Sequence, residues 1–168
     1  MAACAHLALP LWFTPVPLTL QPFAVLLLGL LLAPRMAAAT LCAYLAEGTL
    51  GLPVFAPAST SGLAHLLGPT GGYLMAYPFA AVLISFLWKR SSRRFSTALV
   101  STALGDLLIL VSGALWLAAI THTPVPTVLT LSVIPFLPGD AIKIAVAAGL
   151  AEGLQRLRTR SSNPRLTS

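Results

Sequence analysis

The sequence predicts an all-α, polytopic membrane protein with five complete spans and a partial one ahead of them. Three observations carry this prediction. Of 168 residues, 57% are hydrophobic and only 8% are charged, whereas a soluble domain carries about a quarter charged residues. So few charges cannot build a polar shell, and a bilayer is the solvent that suits this composition. Nine of the ten Lys and Arg residues gather in three places: Arg35; Lys89, Arg90, Arg93 and Arg94; and Arg156, Arg158, Arg160 and Arg165. The stretches between them are nearly free of charge, with Glu47 alone between Arg35 and Lys89, and Asp106 and Asp140 between Arg94 and Lys143. Each is long enough for two spans of about 20 residues and a connection.

Met1–Phe13 is apolar but too short to cross a bilayer alone. It lacks a basic leading region and Pro10 interrupts it, so it reads as a shortened first membrane helix rather than a cleaved signal peptide. Leu18–Ala33 makes the first complete span. Met36–Leu50 and Thr70–Trp88 follow, joined by Gly51–Pro69, which is rich in Gly, Pro, Ser and Thr. The last two spans are Phe95–Thr121 and Gly139–Leu157, joined by the Pro-rich loop His122–Pro138. Residues 1–157 thus read as a single transmembrane domain, and 158–168 as a basic tail expected to be disordered.

Basic loops stay on the cytoplasmic side. Arg35, Lys89–Arg94 and the C-terminus are therefore expected in the cytoplasm, with the chain in the cell membrane. Gly51–Pro69, His122–Pro138 and the segment holding Pro15 and Pro17 then share the external face, as lids over a ligand mouth. The net charge of +6 sits at membrane borders in this pattern, which argues against nucleic acid as a partner. Cys4 and Cys42 form neither a disulfide framework nor a metal pattern, and read as small buried apolar residues.

The strongest chemical signal is Pro138-Gly139-Asp140-Ala141-Ile142-Lys143. Pro138 and Gly139 close the loop, so Asp140 opens the last helix and shares a face with Lys143 three residues on. Ionisable side chains inside a membrane helix usually face the interior or a cavity. The functional reading is a clamp for a small zwitterionic or carboxylate-bearing ligand; the plainer one is an N-cap aspartate with a lysine that pairs or snorkels. In Leu67-Gly68-Pro69-Thr70-Gly71-Gly72-Tyr73, Gly71 and Gly72 permit close backbone approach, Thr70 and Tyr73 offer hydroxyls, and Tyr73 offers an aromatic wall. The alternative there is a helix entry with small residues for packing.

Gln21 reads equally as a ligand contact or a bridge between helices. Glu47 lies near the external end of its helix, and Asp106 on the cytoplasmic side of its own. Either could line a polar cavity or bond to a neighbouring helix; for Asp106 the structural role is favoured, because its cytoplasmic depth is far from Asp140. His65 and His122 lack the further converging ligands that a metal needs. Ser59, Ser61 and His65 show no nucleophile-elbow pattern and no orienting acid, so no enzyme activity is expected. Without a Walker motif, any energy for transport comes from another protein.

Four segments taken in order resemble one family: Pro15-Val16-Pro17-Leu18-Thr19-Leu20-Gln21, Gly51-Leu52-Pro53-Val54-Phe55-Ala56, Leu67–Tyr73, and Pro135-Phe136-Leu137-Pro138-Gly139-Asp140 with Lys143. They look like BioY, the biotin-specific S component of energy-coupling factor (ECF) transporters. The resemblance runs from about Pro15 to Leu154. It implies a six-helix S-component fold, capture of biotin for uptake, and as partners an ECF transmembrane coupling protein and two ATPase subunits. The alternative is a carrier for another vitamin or small carboxylate. It implies substrate contacts from Asp140, Lys143, Tyr73, Thr70, Gln21 and Gly71, with Lys143 suiting the biotin carboxylate and Asp140 a ureido N–H. Tyr73, Trp12 or Phe55 suit the apolar rings. The composition also leaves self-association open.

Two features depart from the family. Pro57-Ala58-Ser59-Thr60-Ser61 stands where a Gly-rich stretch is expected. The first helix, which in S components docks on the coupling protein through small residues, keeps Ala2, Ala3, Ala5 and Ala8 but is too short to span, so either a longer natural start or an impaired helix is expected.

Overall fold

A computed structural model gives the fold, and it describes residues 1–57 and 62–161. The chain opens with α1 (Ala2–His6), followed by β1 (Ala8–Leu9) and β2 (Leu18–Thr19). The two short strands pair antiparallel, Ala8 opposite Thr19 and Leu9 opposite Leu18. Helices α2 (Gln21–Leu31), α3 (Pro34–Thr49), α4 (Leu63–Leu66), α5 (Gly71–Arg90), α6 (Phe95–Thr121), α7 (Val125–Ser132) and α8 (Leu137–Ser161) complete the order.

Among the described residues two helices, α5 and α6, are long and apolar enough to cross a membrane, and a third crossing follows if α7 and α8 count as one broken span. The expected span Leu18–Ala33 is shorter than read. Its first residues are drawn into the strand pair, and Pro34 begins a new helix after Leu32 and Ala33. That leaves α2 with 11 residues, about 16 Å of rise. The loop His122–Pro138 contains a helix that the sequence reading missed. Pro124 and Pro126 suggested a loop, but they flank the first turn of α7, where a missing N–H removes no helical bond. Likewise α8 starts at Leu137, with Pro138 and Asp140 in its opening turn, and α7 and α8 meet at a bend of 56°. The backbone of α8 runs on past Leu157 to Ser161; the expectation for 162–168 falls outside the described residues.

The spine is the α5–α6 hairpin, held by large side chains seated on glycines. The Tyr73 ring covers Gly113, the Trp116 side chain covers Gly72, and Ile84 fills the space over both Gly105 and Gly29. Small residues let helix backbones approach closely where no hydrophobic force drives association. Hydrogen bonds tie the ends: Trp116 Nε1 donates to the Gly68 carbonyl at 2.9 Å, and Ser85 Oγ donates to the Leu32 carbonyl at 2.6 Å. The second caps an orphan carbonyl left at the end of α2.

The core falls into two clusters. One, at the end carrying the basic residues, joins Leu26, Leu30, Ile84, Trp88, Ala98, Ala147, Ala148 and Ala151. The other, toward the Pro-rich loops, joins Val25, Leu41, Tyr44, Phe55, Tyr73, Tyr77, Ile109, Val128 and Phe136. Phe79, Leu107, Leu115 and Ile142 are exposed, as expected of side chains that face lipid; Cys42, expected to be buried, is exposed as well, and Cys4 is only half-buried.

Seating Tyr73 on Gly113 carries a direct expectation. Gly113→Ala places a methyl group in the Tyr73 ring and is expected to lower stability by about 1–3 kcal/mol, the usual effect of overpacking. Gly149→Ala, with nothing within 4 Å of the added carbon, is expected to be neutral or to stabilise by up to about 1 kcal/mol. Thermal unfolding of the two variants in detergent compares them directly, and equal melting temperatures would contradict this packing.

Candidate ligand-binding site

Asp140 and Lys143 form a buried ion pair, Nζ to Oδ1 2.9 Å, one turn apart on α8. Asp140 is 3% and Lys143 8% exposed. The Asp140 backbone N–H donates to the Phe136 carbonyl at 2.9 Å, closing the first turn of the helix. The bend before α8 thus delivers a helix start, with its two charged side chains, into the middle of the bundle.

The pair faces a cavity among α5, α6, α8 and the segment leading into α2. Its walls are Tyr73, Leu74 and Tyr77 from α5, Ile109 and Leu110 from α6, and Phe136 from the bend. Pro17, Thr19 and Gln21 close one side; Ala56, His65 and Thr70 stand at the loop side. The space is about 40 Å³, room for a few waters, each of which needs about 10–15 Å³ on this measure. A larger ligand enters only if the walls part.

The expected site residues divide by position. Asp140, Lys143, Tyr73, Thr70 and Gln21 converge on this one cavity. Tyr73 also donates its hydroxyl to the Ser132 carbonyl at 2.9 Å, which ties α5 to the α7–α8 corner. Thr70 Oγ1 lies 3.4 Å from His65 Nε2. Gln21 serves as both lining and bridge. Thr19 donates to its Oε1 at 3.3 Å, its Nε2 donates to the Tyr44 hydroxyl at 2.7 Å, and Tyr44 donates onward to the Val54 carbonyl at 2.9 Å. This relay links α2, α3 and the loop after α3. Gly71 is not among the lining residues. A Cβ at Gly71 would collide with the Leu66 carbonyl and crowd the Trp116 indole, so the close approach it permits is to protein.

The aromatic candidates separate in the same way. Trp12 is 95% exposed and meets the Phe13 ring edge-on, outside the cavity. Phe55 seats its ring on Gly48 and stacks on His65 with centroids 5.1 Å apart, behind the wall rather than in it. Tyr77 and Phe136 line the cavity instead. Tyr77 follows Tyr73 by four residues, a spacing that puts both on one helix face and that the sequence alone offered.

Asp106 requires a correction. Read as remote from Asp140, it lines the same cavity and is 4% exposed. The error was one of depth. Helix α6 has 27 residues, about 40 Å, against a hydrocarbon core of about 30 Å. Asp106 stands about 16 Å along it from Phe95, and Lys143 reaches one turn down α8 to meet that level. Glu47 and His122 are exposed and outside the cavity. Among the described residues no group of three or more His, Cys, Asp and Glu could hold a metal. Ser59 and Ser61 lie outside the described residues.

Chemically, the site offers an ammonium donor and a carboxylate acceptor at one point, inside aromatic and aliphatic walls. That suits a small ligand with an apolar body and a polar group that both donates and accepts hydrogen bonds. Removing one member of a buried pair leaves the other uncompensated. Lys143→Met is therefore expected to destabilise by about 3–5 kcal/mol, and the double change Lys143→Met with Asp140→Leu to recover most of the loss. Melting temperatures of the single and double variants in detergent measure this, and additive losses would contradict it.

Comparison with known proteins adds four findings. The BioY family model matches residues 1–160. The chain is 42% identical over 141 residues to a probable biotin transporter BioY of Pyrococcus horikoshii, covering 84% of this chain and 82% of that one. It is 33% identical over 153 residues to the biotin transporter BioY of Lactococcus lactis subsp. cremoris, covering 88% and 80%. The fold matches the crystal structure of the S-component for biotin from an ECF-type ABC transporter, with a TM-score of 0.84, 32% identity, and coverage of 92% of this chain and 84% of that one.

Proposed function

The chain belongs to the BioY family, and from that premise we propose that it captures biotin for uptake, as the S component of an ECF-type transporter. It is a multi-pass membrane protein with no bond chemistry of its own. The observation that carries the reading is the buried Asp140–Lys143 pair opening on a cavity walled by Tyr73 and Tyr77. Biotin offers an apolar bicycle, a ureido group with one carbonyl and two N–H donors, and a carboxylate at the far end of an alkyl chain.

The geometry favours a different pairing from the one that the resemblance suggested. Nζ of Lys143 and Oδ1 of Asp140 are 2.9 Å apart, so both must meet the same end of the ligand. The ureido group suits the two together, since Lys143 keeps donors for its carbonyl and Asp140 keeps lone pairs for an N–H. The carboxylate then belongs toward the loop side, where His65 and Thr70 stand.

The remaining parts of the reading rest on family and charge. The energy source is a transmembrane coupling protein with two ATPase subunits. In a six-helix S-component arrangement α1 is the short first member and α2, α3, α5, α6 and α8 are the other five. The basic residues at the ends of α5 and α8 favour a cytoplasmic C-terminus in the cell membrane.

Radiolabelled biotin binding to the purified protein in detergent tests the core of this. Asp140→Asn and Lys143→Ala are each expected to weaken binding at least tenfold, about the worth of one charge-assisted hydrogen bond. Biotin amide, which lacks the carboxylate charge, is expected to compete far better than analogues altered at the ureido group. The reverse order would return Lys143 to the carboxylate. A reporter fused after Ser168 in whole cells checks the orientation, with activity expected only for a cytoplasmic reporter.

A further inference from the structure

Asp106 is the one carboxylate in the cavity whose partner is missing. Asp140 has Lys143; the Asp106 side chain makes no hydrogen bond or ion pair among the described residues, although it is 4% exposed. Buried carboxylates are normally paired or hydrogen-bonded. Among the described residues no buried side-chain nitrogen or oxygen is sealed away without a partner, so the small exposure that Asp106 keeps is at its oxygens, and the surface they meet is the cavity. Of the neighbours on its own helix, Thr102 one turn back donates its hydroxyl to the Ala98 carbonyl at 2.8 Å, and Gly105, Ile109 and Leu110 carry no side-chain donor. Among the described residues no third acidic, His or Cys ligand gathers with Asp106 and Asp140 to hold a metal ion in the gap.

We propose that Asp106 is a ligand-contacting residue: it accepts an N–H from the bound ligand on the α6 wall, opposite the Asp140–Lys143 pair. The inference rests on the reading of this cavity as a biotin site and deepens it. A cyclic urea has a carbonyl flanked by two N–H groups. The ion pair on α8 supplies a donor for the carbonyl and an acceptor for one N–H. The second N–H points the other way and needs an acceptor of its own, which Asp106 supplies. The site then has three polar contacts for the three polar atoms of the ureido ring, and discriminates against ligands whose second nitrogen is substituted or replaced.

The test is a binding cycle with biotin and its two mono-N-methyl ureido analogues on purified protein in detergent. Wild-type binding of biotin comes first; its absence overturns the biotin reading and this inference with it. Given binding, Asp106→Ala is expected to weaken biotin at least tenfold. It is also expected to regain affinity selectively for one of the two methyl analogues, because the methyl group occupies the space left by the carboxylate. Asp106→Asn, which keeps the shape and an acceptor oxygen, is expected to lose less than Asp106→Ala and serves where the alanine variant does not fold. Equal biotin affinity in wild type and both variants, or equal losses for the two analogues in every variant, overturns the assignment of Asp106 while leaving the biotin reading intact.

Discussion

An ammonium and a carboxylate placed inside an apolar bundle must stay together. Separating Lys143 from Asp140 would strand two charges in surroundings that cannot solvate them, so the contact at 2.9 Å acts as a rigid constraint on the elements around it. It requires both residues on one face of one helix, which fixes where α8 begins. It requires the helix start to lie inside the bundle, which the bend of 56° after α7 achieves. It also requires walls that exclude water, and Tyr73, Tyr77, Ile109 and Phe136 provide them. The pair contributes little net stability; what it contributes is a single geometry for the site.

That geometry is transmitted by close packing. Gly113 allows the Tyr73 ring to lie flat against α6, and Gly72 and Trp116 repeat the arrangement one turn away. With its ring held there, the Tyr73 hydroxyl reaches the Ser132 carbonyl and pins the corner from which α8 departs. The α2 side is held separately, through the relay from Thr19 through Gln21 and Tyr44 to Val54. Cavity residues are therefore supported from two directions, each ending on a backbone carbonyl that no substitution can remove.

Much of this was legible in the sequence where the signal was local. The bounds of α6 were read as Phe95–Thr121 and are so, because Arg94 with Thr97 caps one end and His122 takes a left-handed turn at the other. Asp140 and Lys143 were found because charge is rare in this chain. What stayed hidden depended on three-dimensional depth. The place of Asp106 is not legible in the sequence, because sequence distance from a basic loop does not reveal which level of a 27-residue helix meets the cavity. Gly71 reads alike whether its close neighbour is ligand or backbone, and only the Leu66 carbonyl decides. Helix α7 was missed because prolines at a first turn look like prolines in a loop.

The bond from Tyr73 to the Ser132 carbonyl bears on how such a site can change over evolutionary time. Any residue at 132 keeps that carbonyl, so only position 73 can break the bond. Position 73 thus has two duties at once, in the cavity wall and at the corner that aims α8. Tyr77 lines the same wall and its hydroxyl has no such tie among the described residues. Drift toward a new ligand has a freer path through position 77, with Tyr73 held in place by its architectural duty.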